Sequence, residues 1–240
     1  MKKLFMVILS CIILITFSAC EPTTNESSQN YETGEVYSDS SLDKPKIDNV
    51  EKSDSEYGMR FNMTLDEFIS RYNDIVNEQE DNKFTRESMF LVKSDFEVLA
   101  QKPDTNGVMI TAYISYIKHA NSIEPNGYGF SLGVESATGK IRSVELLFTK
   151  TYWNKITETG HRKIMNRDIP YMYMAINPSL TYEEAHNIIA NLVDVESKNY
   201  LYYYDSNYLY TMREDTVNKL DGFQVKACSD EVYNKYKPQN

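Results

Sequence analysis

Two segments of the chain place apolar residues at the spacing of an amphipathic helix. Thr64 can cap the first segment through its hydroxyl, while Glu67 reaches back to the Thr64 amide. The apolar residues that follow lie on one face of a helix: Leu65, Phe68, Ile69, Tyr72, Ile75 and Val76. Thr181 and Glu184 repeat these two capping residues before a second apolar stripe, which consists of Ile188, Ile189, Leu192 and Val193. The pattern predicts two helices that each bury one face.

Strand-like alternation of apolar and polar residues occupies much of the remaining chain. After the first helix we expect a β-prone run over residues 89–99 and then three alternating strands, at residues 108–116, 128–134 and 144–148. Turn signals precede two of these strands, at residues 104–107 and 138–140. Further strands are predicted after the second helix, at residues 200–204, 208–213 and 223–228. Each alternating set has one apolar face, which is typical of an antiparallel sheet covered on one side.

The order of a helix followed by strands occurs twice. We therefore expect an α+β domain over residues 58–240, with helices packed on an antiparallel sheet and two similar lobes at residues 58–150 and 151–240. One continuous sheet that carries both helices is the alternative. Outside the helix caps the halves share little identity, so a duplication stays a hypothesis. Residues 161–176 form a further helix only if Pro170 lies in its first turn.

The first twenty residues follow a different pattern. Lys2 and Lys3 precede an apolar run from Leu4 to Phe17, after which small residues lead to Cys20. This is the layout of a secretory signal peptide. The run has about 14 residues, whereas a helix needs about 20 to span a bilayer. We therefore do not expect it to remain as a membrane-spanning anchor.

The residues Ser18-Ala19-Cys20 resemble a lipobox, where the signal peptidase of bacterial lipoproteins cuts before a cysteine that carries diacylglycerol. Phe17 stands where leucine is commonest in this family. The resemblance implies a signal peptide over residues 1–19, a lipid of the palmitate type on Cys20, and a location on the outer face of the cell membrane. Two acyl chains anchor a protein stably without a membrane-binding surface. The alternative is an ordinary signal peptide cut near Ala19, with Cys20 left as a plain thiol.

Composition changes after the signal peptide. Residues 21–57 contain ten acidic residues against three lysines, which gives a net charge of −7, and they contain few large aliphatic side chains. Such a segment cannot bury enough apolar surface to order itself, so we predict that residues 20–57 are the lipidated cysteine and a disordered acidic tether. The whole chain has a charge of −10. The remaining domain is mildly acidic, which argues against nucleic acid as a partner.

Candidate chemistry is sparse. The three histidines, His119, His161 and His186, are far apart and show no metal-ligand spacing. The sequence also has no nucleophile elbow, phosphate loop or dinucleotide fingerprint. We predict no catalytic residues, no metal site and no cofactor. Cys228 is the only thiol besides Cys11 and Cys20, and we expect a buried or strand-end cysteine there.

Tyrosine is the unusual feature of the composition, with 19 in the chain. Tyrosine offers contact area and a hydrogen-bonding hydroxyl at a low entropic cost, so a cluster of tyrosines suits protein or glycan contact. We select five as candidate binding residues: Tyr200, Tyr202, Tyr204, Tyr208 and Tyr210. The competing interpretation is ordinary packing between strands, since tyrosine has a high strand propensity.

Three functions are compatible with these observations. We favour a non-catalytic binding or interaction module of the cell envelope, anchored by lipid, with an envelope protein or glycan as its ligand. An envelope hydrolase whose acidic site is assembled only by folding is the first alternative. A small-solute-binding lipoprotein is the second alternative, although the domain lacks the alternating strand and helix units of two-lobed solute receptors.

Overall fold

The computed structural model describes residues 49–116, 127–156, 158–192, 201–215 and 220–236. The signal peptide, Cys20 and residues 20–48 of the expected tether lie outside these ranges. The described chain forms a seven-stranded antiparallel sheet with helices packed against it, together with a two-stranded hairpin. The predicted α+β class, with helices on an antiparallel sheet, is confirmed.

The secondary-structure elements follow the chain in this order. The strands are β1 (Val50–Lys52), β2 (Met59–Phe61), β3 (Glu97–Pro103), β4 (Met109–Tyr116), β5 (Tyr128–Glu135), β6 (Ile141–Thr149), β7 (Leu201–Asp205), β8 (Tyr208–Asp215) and β9 (Leu220–Ala227). The helices are α1 (Leu65–Gln79), α2 (Lys83–Met89), α3 (Lys150–Lys155), α4 (Glu158–Lys163), α5 (Ile169–Ile176), α6 (Tyr182–Leu192) and α7 (Asp230–Tyr236). A 3₁₀ turn covers Lys93–Asp95, and a π-helical turn covers Ile164–Asp168.

The strands of both halves join one sheet in the order β3-β4-β5-β6-β9-β8-β7. The two halves therefore share one continuous sheet, which is the alternative that the sequence left open beside two separate lobes. Each half nevertheless contributes a helix followed by a meander, and the last strands of the two meanders, β6 and β9, pair antiparallel at the centre. The boundary between the lobes and the duplication both stay predictions.

Both capping boxes form as the sequence predicts. The Thr64 amide donates to Glu67 Oε2 at 2.7 Å, and the Thr181 amide donates to Glu184 Oε2 at 2.6 Å. Helix α1 then buries its apolar stripe on the sheet, where the Phe68 and Tyr72 rings meet the Phe130 ring edge-on. We call the side of the sheet that carries α1, α5 and α6 the helix face and the opposite side the outer face.

Of the β-prone run predicted over residues 89–99, only residues 97–99 lie in a strand. Met89 ends α2, a 3₁₀ turn follows, and β3 begins only at Glu97. The physical reason is a side chain from α1. Asn73 accepts a hydrogen bond from the Leu91 amide at 2.8 Å and donates to the Leu91 carbonyl at 2.9 Å, so it takes the place of a neighbouring strand. Pro170 lies in the first turn of α5, as the helix prediction for this region required.

Residues 49–57 belong to the folded domain, which corrects the expectation of a disordered tether up to residue 57. β1 pairs with β2 to form a hairpin, and the side chains of Val50 and Tyr57 are buried. Gly58 closes the connecting loop with a φ of +70°, a backbone conformation that favours glycine. Residues 49–57 are thus ordered by strand pairing, by the burial of Val50 and Tyr57 and by the turn at Gly58, although their composition is mostly polar.

Candidate binding site on the outer face

The outer face carries a row of polar side chains that crosses five strands. Direct partners in an antiparallel pair point to the same face of a sheet. The register pairs Ser131 with Glu145, Glu145 with Gln224, Gln224 with Thr211, and Thr211 with Tyr202. We call these five residues the polar row. Their strands are β5, β6, β9, β8 and β7, which are neighbours in the sheet.

Exposure varies along the polar row. Glu145, Gln224 and Thr211 at its centre are buried, Ser131 at one end is half-buried, and Tyr202 at the other end is 39% exposed. Gln224 Nε2 donates to Glu145 Oε2 across a long distance of 3.4 Å. Shielding from bulk water strengthens the hydrogen bonds that such side chains make.

Gly222 allows the Glu145 carboxylate to lie against the sheet. A Cβ atom at Gly222 would come within 2.7 Å of Glu145 Oε1, closer than real Cβ contacts. Gly133 has a similar role beside the row, because a Cβ there would lie 2.8 Å from Ser143 Oγ. Side chains other than glycine at these two positions would force the polar side chains to move.

A small cavity of about 20 Å³ opens beside the row, and a volume of that size holds one water molecule. The residues that line it come from four strands and from the loop after β1: Tyr57, Ala112, Ser131, Leu132, Gly133, Arg142, Ser143, Glu145, Gln224 and Lys226. Polar side chains therefore surround the space at the centre of the outer face.

Tyr57 forms the wall of this cavity and is held there by two cations. Lys226 Nζ donates to the Tyr57 hydroxyl at 3.0 Å and lies 4.7 Å from the centre of its ring. The Arg142 guanidinium lies 5.0 Å from the same ring and bonds Asp104 at 2.9 Å. Arg142 also lies 3.3 Å from Glu56, so this buried ion cluster ties the Tyr57 loop to the sheet.

A second ion cluster fixes the β1–β2 hairpin. Arg60 bonds Glu51 at 2.7 Å and the buried carboxylate of Glu135 at 2.6 Å, and Ser53 donates to Glu135 as well. The hydrogen bond to Glu51 and the charge of Glu135 raise the pKa of Arg60. The two clusters therefore hold the hairpin, and with it the Tyr57 side of the cavity, against the sheet.

The structure separates the five candidate tyrosines. Tyr202 and Tyr204 lie on the outer face, and the Tyr204 ring stacks on Tyr233 of α7 at 4.1 Å while its hydroxyl donates to Asp230. Burial and this hydrogen bond to Asp230 raise the pKa of Tyr204. Tyr200 lies outside the described residues. Tyr202 is thus the most exposed of the described candidates.

Tyr208 and Tyr210 lie on the helix face and are only 5% and 1% exposed. The prediction that they contact a ligand is therefore corrected: Tyr210 packs edge-on against Tyr173, and Tyr208 stacks on Phe61. The reason is the two-residue turn at Ser206 and Asn207, whose positive φ angles set the hairpin register. In that register Tyr210 pairs with Tyr203 rather than with Tyr202 or Tyr204.

The described histidines contact neutral groups. His161 Nε2 lies 2.8 Å from the Trp153 carbonyl oxygen, and His186 Nε2 lies 3.1 Å from Asn166 Oδ1. His119 lies outside the described residues. Across the described ranges, no group of three or more His, Cys, Asp and Glu side chains has a geometry that could hold a metal ion. Cys228 is buried, as expected.

A buried carboxylate lies on the helix face. Asp168 ends the π-helical turn, accepts a hydrogen bond from the Tyr128 hydroxyl at 2.5 Å and pairs with Arg167 at 2.7 Å. Burial and the negative charge of Asp168 raise the pKa of Tyr128, so its phenol keeps its proton and donates. This arrangement neutralises the carboxylate and joins the π-helical turn to β5.

Sequence reasoning did not find the polar row. Its members extend from residue 131 to residue 224, and only the register of four strand pairs brings them together. The polar half of each alternating strand carried a usable signal, because Ser131, Glu145 and Gln224 occupy the positions between core residues.

Comparison with known proteins gives no match. No protein-family model matches the chain, and no curated protein and no solved structure resembles it significantly. In the part of the chain that the structure describes, no helix combines the length and the apolar character needed to cross a membrane.

Proposed function

We propose that this protein is a lipoprotein anchored through Cys20 to the outer face of the cell membrane, and that its domain binds a component of the cell envelope without catalysis. The lipobox-like residues Ser18-Ala19-Cys20 support the anchor. The observation that supports binding is Tyr202 on the outer face, which is 39% exposed at the end of the polar row.

The chemistry of the cavity favours binding over hydrolysis. Glycoside hydrolysis by the common mechanisms uses a pair of carboxyl groups, one on each side of the scissile bond. Glu145 is the single acidic residue among those that line the cavity. Asp104 and Glu56 contact Arg142, which also lines the cavity, and both are engaged in the ion cluster with that guanidinium.

The size of the cavity favours an extended ligand over a small enclosed solute. Sites that enclose small molecules usually have volumes of about 300–1,000 Å³. The cavity beside the polar row has a volume of about 20 Å³, which is enough for one water molecule. We therefore expect a ligand to contact exposed side chains such as Tyr202 rather than to enter this space.

The anchor is tested by replacing Cys20. We expect Cys20→Ser to abolish incorporation of a palmitate label and to move the protein out of the membrane fraction, because the thiol is the lipid attachment point. Cys11→Ser is the matched control, since Cys11 lies within the predicted signal peptide. Labelling that survives in the Cys20 variant would contradict a lipid at this residue.

Binding is tested with the full chain, solubilised in detergent, as bait for separate protein and glycan fractions of the envelope. We expect one component to be retained, and retention to fall in Tyr202→Ala, because Tyr202 is the exposed end of the polar row. Gln101→Ala on the β3 edge is the control, since Gln101 pairs with Thr111 and lies off the row. A component held equally by Tyr202→Ala would place the binding site elsewhere.

A further inference from the structure

We propose that helices α3 and α4 contact the anionic lipid headgroups of the membrane that anchors the protein, and that this contact sets which side of the domain faces the membrane. The proposal rests on the anchor in the proposed function and adds a contact made by the domain itself. Its first basis is the distribution of charge. Residues 150–163 contain four basic residues and one acidic residue, whereas acidic residues outnumber basic residues in residues 58–149 and 164–240.

The fold brings three of these cations together on the surface. Lys155 ends α3, Arg162 and Lys163 end α4, and all three are exposed. His161 Nε2 lies 2.8 Å from the Trp153 carbonyl oxygen, and the two rings are 4.1 Å apart between their centres. This contact holds α4 against α3. We call Lys155, Arg162 and Lys163 the basic patch.

The ion pair within this region leaves the positive charge of the patch largely available. Arg162 lies 3.3 Å from Glu158 one helical turn away, and both side chains are more than half exposed, at 63% and 83%. Water screens an exposed pair of this kind, so it contributes little. The basic patch therefore keeps its attraction for an anionic surface.

The partner that fits is a surface of anionic lipid. Each Lys or Arg near such a surface favours the contact by about fivefold, and the attraction is lost within a Debye length of the lipid. The excess of acidic residues elsewhere in the domain is repelled by the same surface. Attraction on one side and repulsion on the others favour a single orientation of the domain.

Trp153 adds a side chain suited to the boundary between lipid and water. It is half-buried, and its ring stacks on Phe148 at 4.6 Å on the side away from solvent. Tryptophan is enriched at membrane interfaces, because its ring is apolar and its N–H group can reach polar partners. A tryptophan beside three exposed cations matches that environment.

The predicted tether is long enough for this orientation. The described chain begins at Asn49, which accepts a hydrogen bond from the Asn62 amide, and the next residue, Met63, accepts one from the Ile141 amide at the start of β6. Helix α3 follows the other end of β6, about 30 Å away for a strand of nine residues. A flexible chain of the length of residues 20–48 spans roughly 30 Å on average and about three times as much when extended.

The experiment uses the full, lipidated chain reconstituted in vesicles of neutral phosphatidylcholine or of an equal mixture of phosphatidylcholine and anionic phosphatidylglycerol. Trp153 is the single tryptophan of the chain, so energy transfer from it to a dansyl group on the lipid headgroups measures how close the patch lies to the membrane. Transfer should be stronger in the anionic vesicles, and high salt should abolish the difference because it screens the attraction.

A double variant and a matched control locate the contact. Lys155→Gln/Lys163→Gln removes two charges of the basic patch and should weaken the contact at least tenfold, so that transfer in anionic vesicles falls to the neutral value. Lys83→Gln/Lys93→Gln removes the same charge from exposed positions away from the patch and should behave like the parent. Circular dichroism checks that both variants are folded.

Every outcome decides the proposal. Equal transfer in the two kinds of vesicle would overturn it, and a salt-dependent signal that is the same in both would show that an acidic part of the chain covers the patch instead. Equal losses in the two double variants would reduce the effect to net charge and also overturn it. A protein that neutral vesicles do not retain would contradict the anchor. The patch would then stand only if anionic vesicles retained the parent and not Lys155→Gln/Lys163→Gln.

Discussion

At the residue scale, buried tyrosines in this protein differ in what their hydroxyls contact. Tyr128 and Tyr173 are both almost completely buried on the helix face. The Tyr128 hydroxyl donates to Asp168, a buried carboxylate. The Tyr173 hydroxyl has no hydrogen-bond partner among the residues that the structure describes. The two positions therefore form a natural pair for measuring what one buried hydroxyl contributes.

Tyr128→Phe should lower the free energy of unfolding by about 2 kcal/mol, because it removes a hydrogen bond to a buried charged group. Tyr173→Phe is the matched control and should leave stability unchanged or slightly higher, since it removes a buried hydroxyl without a partner. Urea unfolding of the two variants and the parent measures both values. Equal losses from both variants would contradict the role assigned to the Asp168 contact.

At the element scale, the two capping boxes set where α1 and α6 begin. The hydrogen bonds of Glu67 with the Thr64 amide and hydroxyl lower the pKa of the Glu67 carboxyl. A group whose pKa is lower in the folded state stabilises the fold above its unfolded pKa. That contribution is lost as the pH falls through the folded pKa.

Glu67→Gln tests the pH dependence of the first cap. At pH 7 the variant should be less stable than the parent, and the difference should shrink as the pH falls below about 4, near the ordinary pKa of glutamate. Thermal unfolding between pH 3 and pH 7 measures the difference. Glu78→Gln, at the other end of α1, is the control. A difference that stays constant over this range would show that the Glu67 charge does not contribute.

At the scale of the whole molecule, the β1–β2 hairpin lies where the predicted tether meets the described domain. Its loop carries Tyr57, and two ion clusters, centred on Arg142 and Arg60, hold it to the sheet. The described domain includes residues from Asn49 onward, so the predicted tether ends no later than residue 48.

Two shortened chains test this boundary. A chain that begins at residue 49 should unfold like the full chain. A chain that begins at residue 58 loses β1 and the buried Val50 and Tyr57 side chains, and its free energy of unfolding should fall by about 4 kcal/mol. Urea unfolding compares them. Equal stability of the two chains would mean that the hairpin contributes no packing energy.

Local sequence signals predicted most of the elements. The sequence predicted the Thr64 and Thr181 caps, the alternating strands and the turn at Asp104, because these features depend on neighbouring residues. The run expected at residues 89–99 forms a strand only from Glu97, since the Asn73 side chain of α1 binds the backbone at Leu91. Residues 49–57 were predicted to be disordered because their composition is acidic, but the burial of Val50 and Tyr57 depends on contacts with distant parts of the chain.

The sequence by itself determined the α+β class and the positions of most helices and strands, because capping and alternation are local properties. The tertiary structure alone decided that β6 pairs with β9, that Tyr208 and Tyr210 are buried, and that the polar row exists. These features depend on strand register between residues far apart in the chain. A shift of register by one residue would move every side chain to the other face, and composition carries no information about that choice.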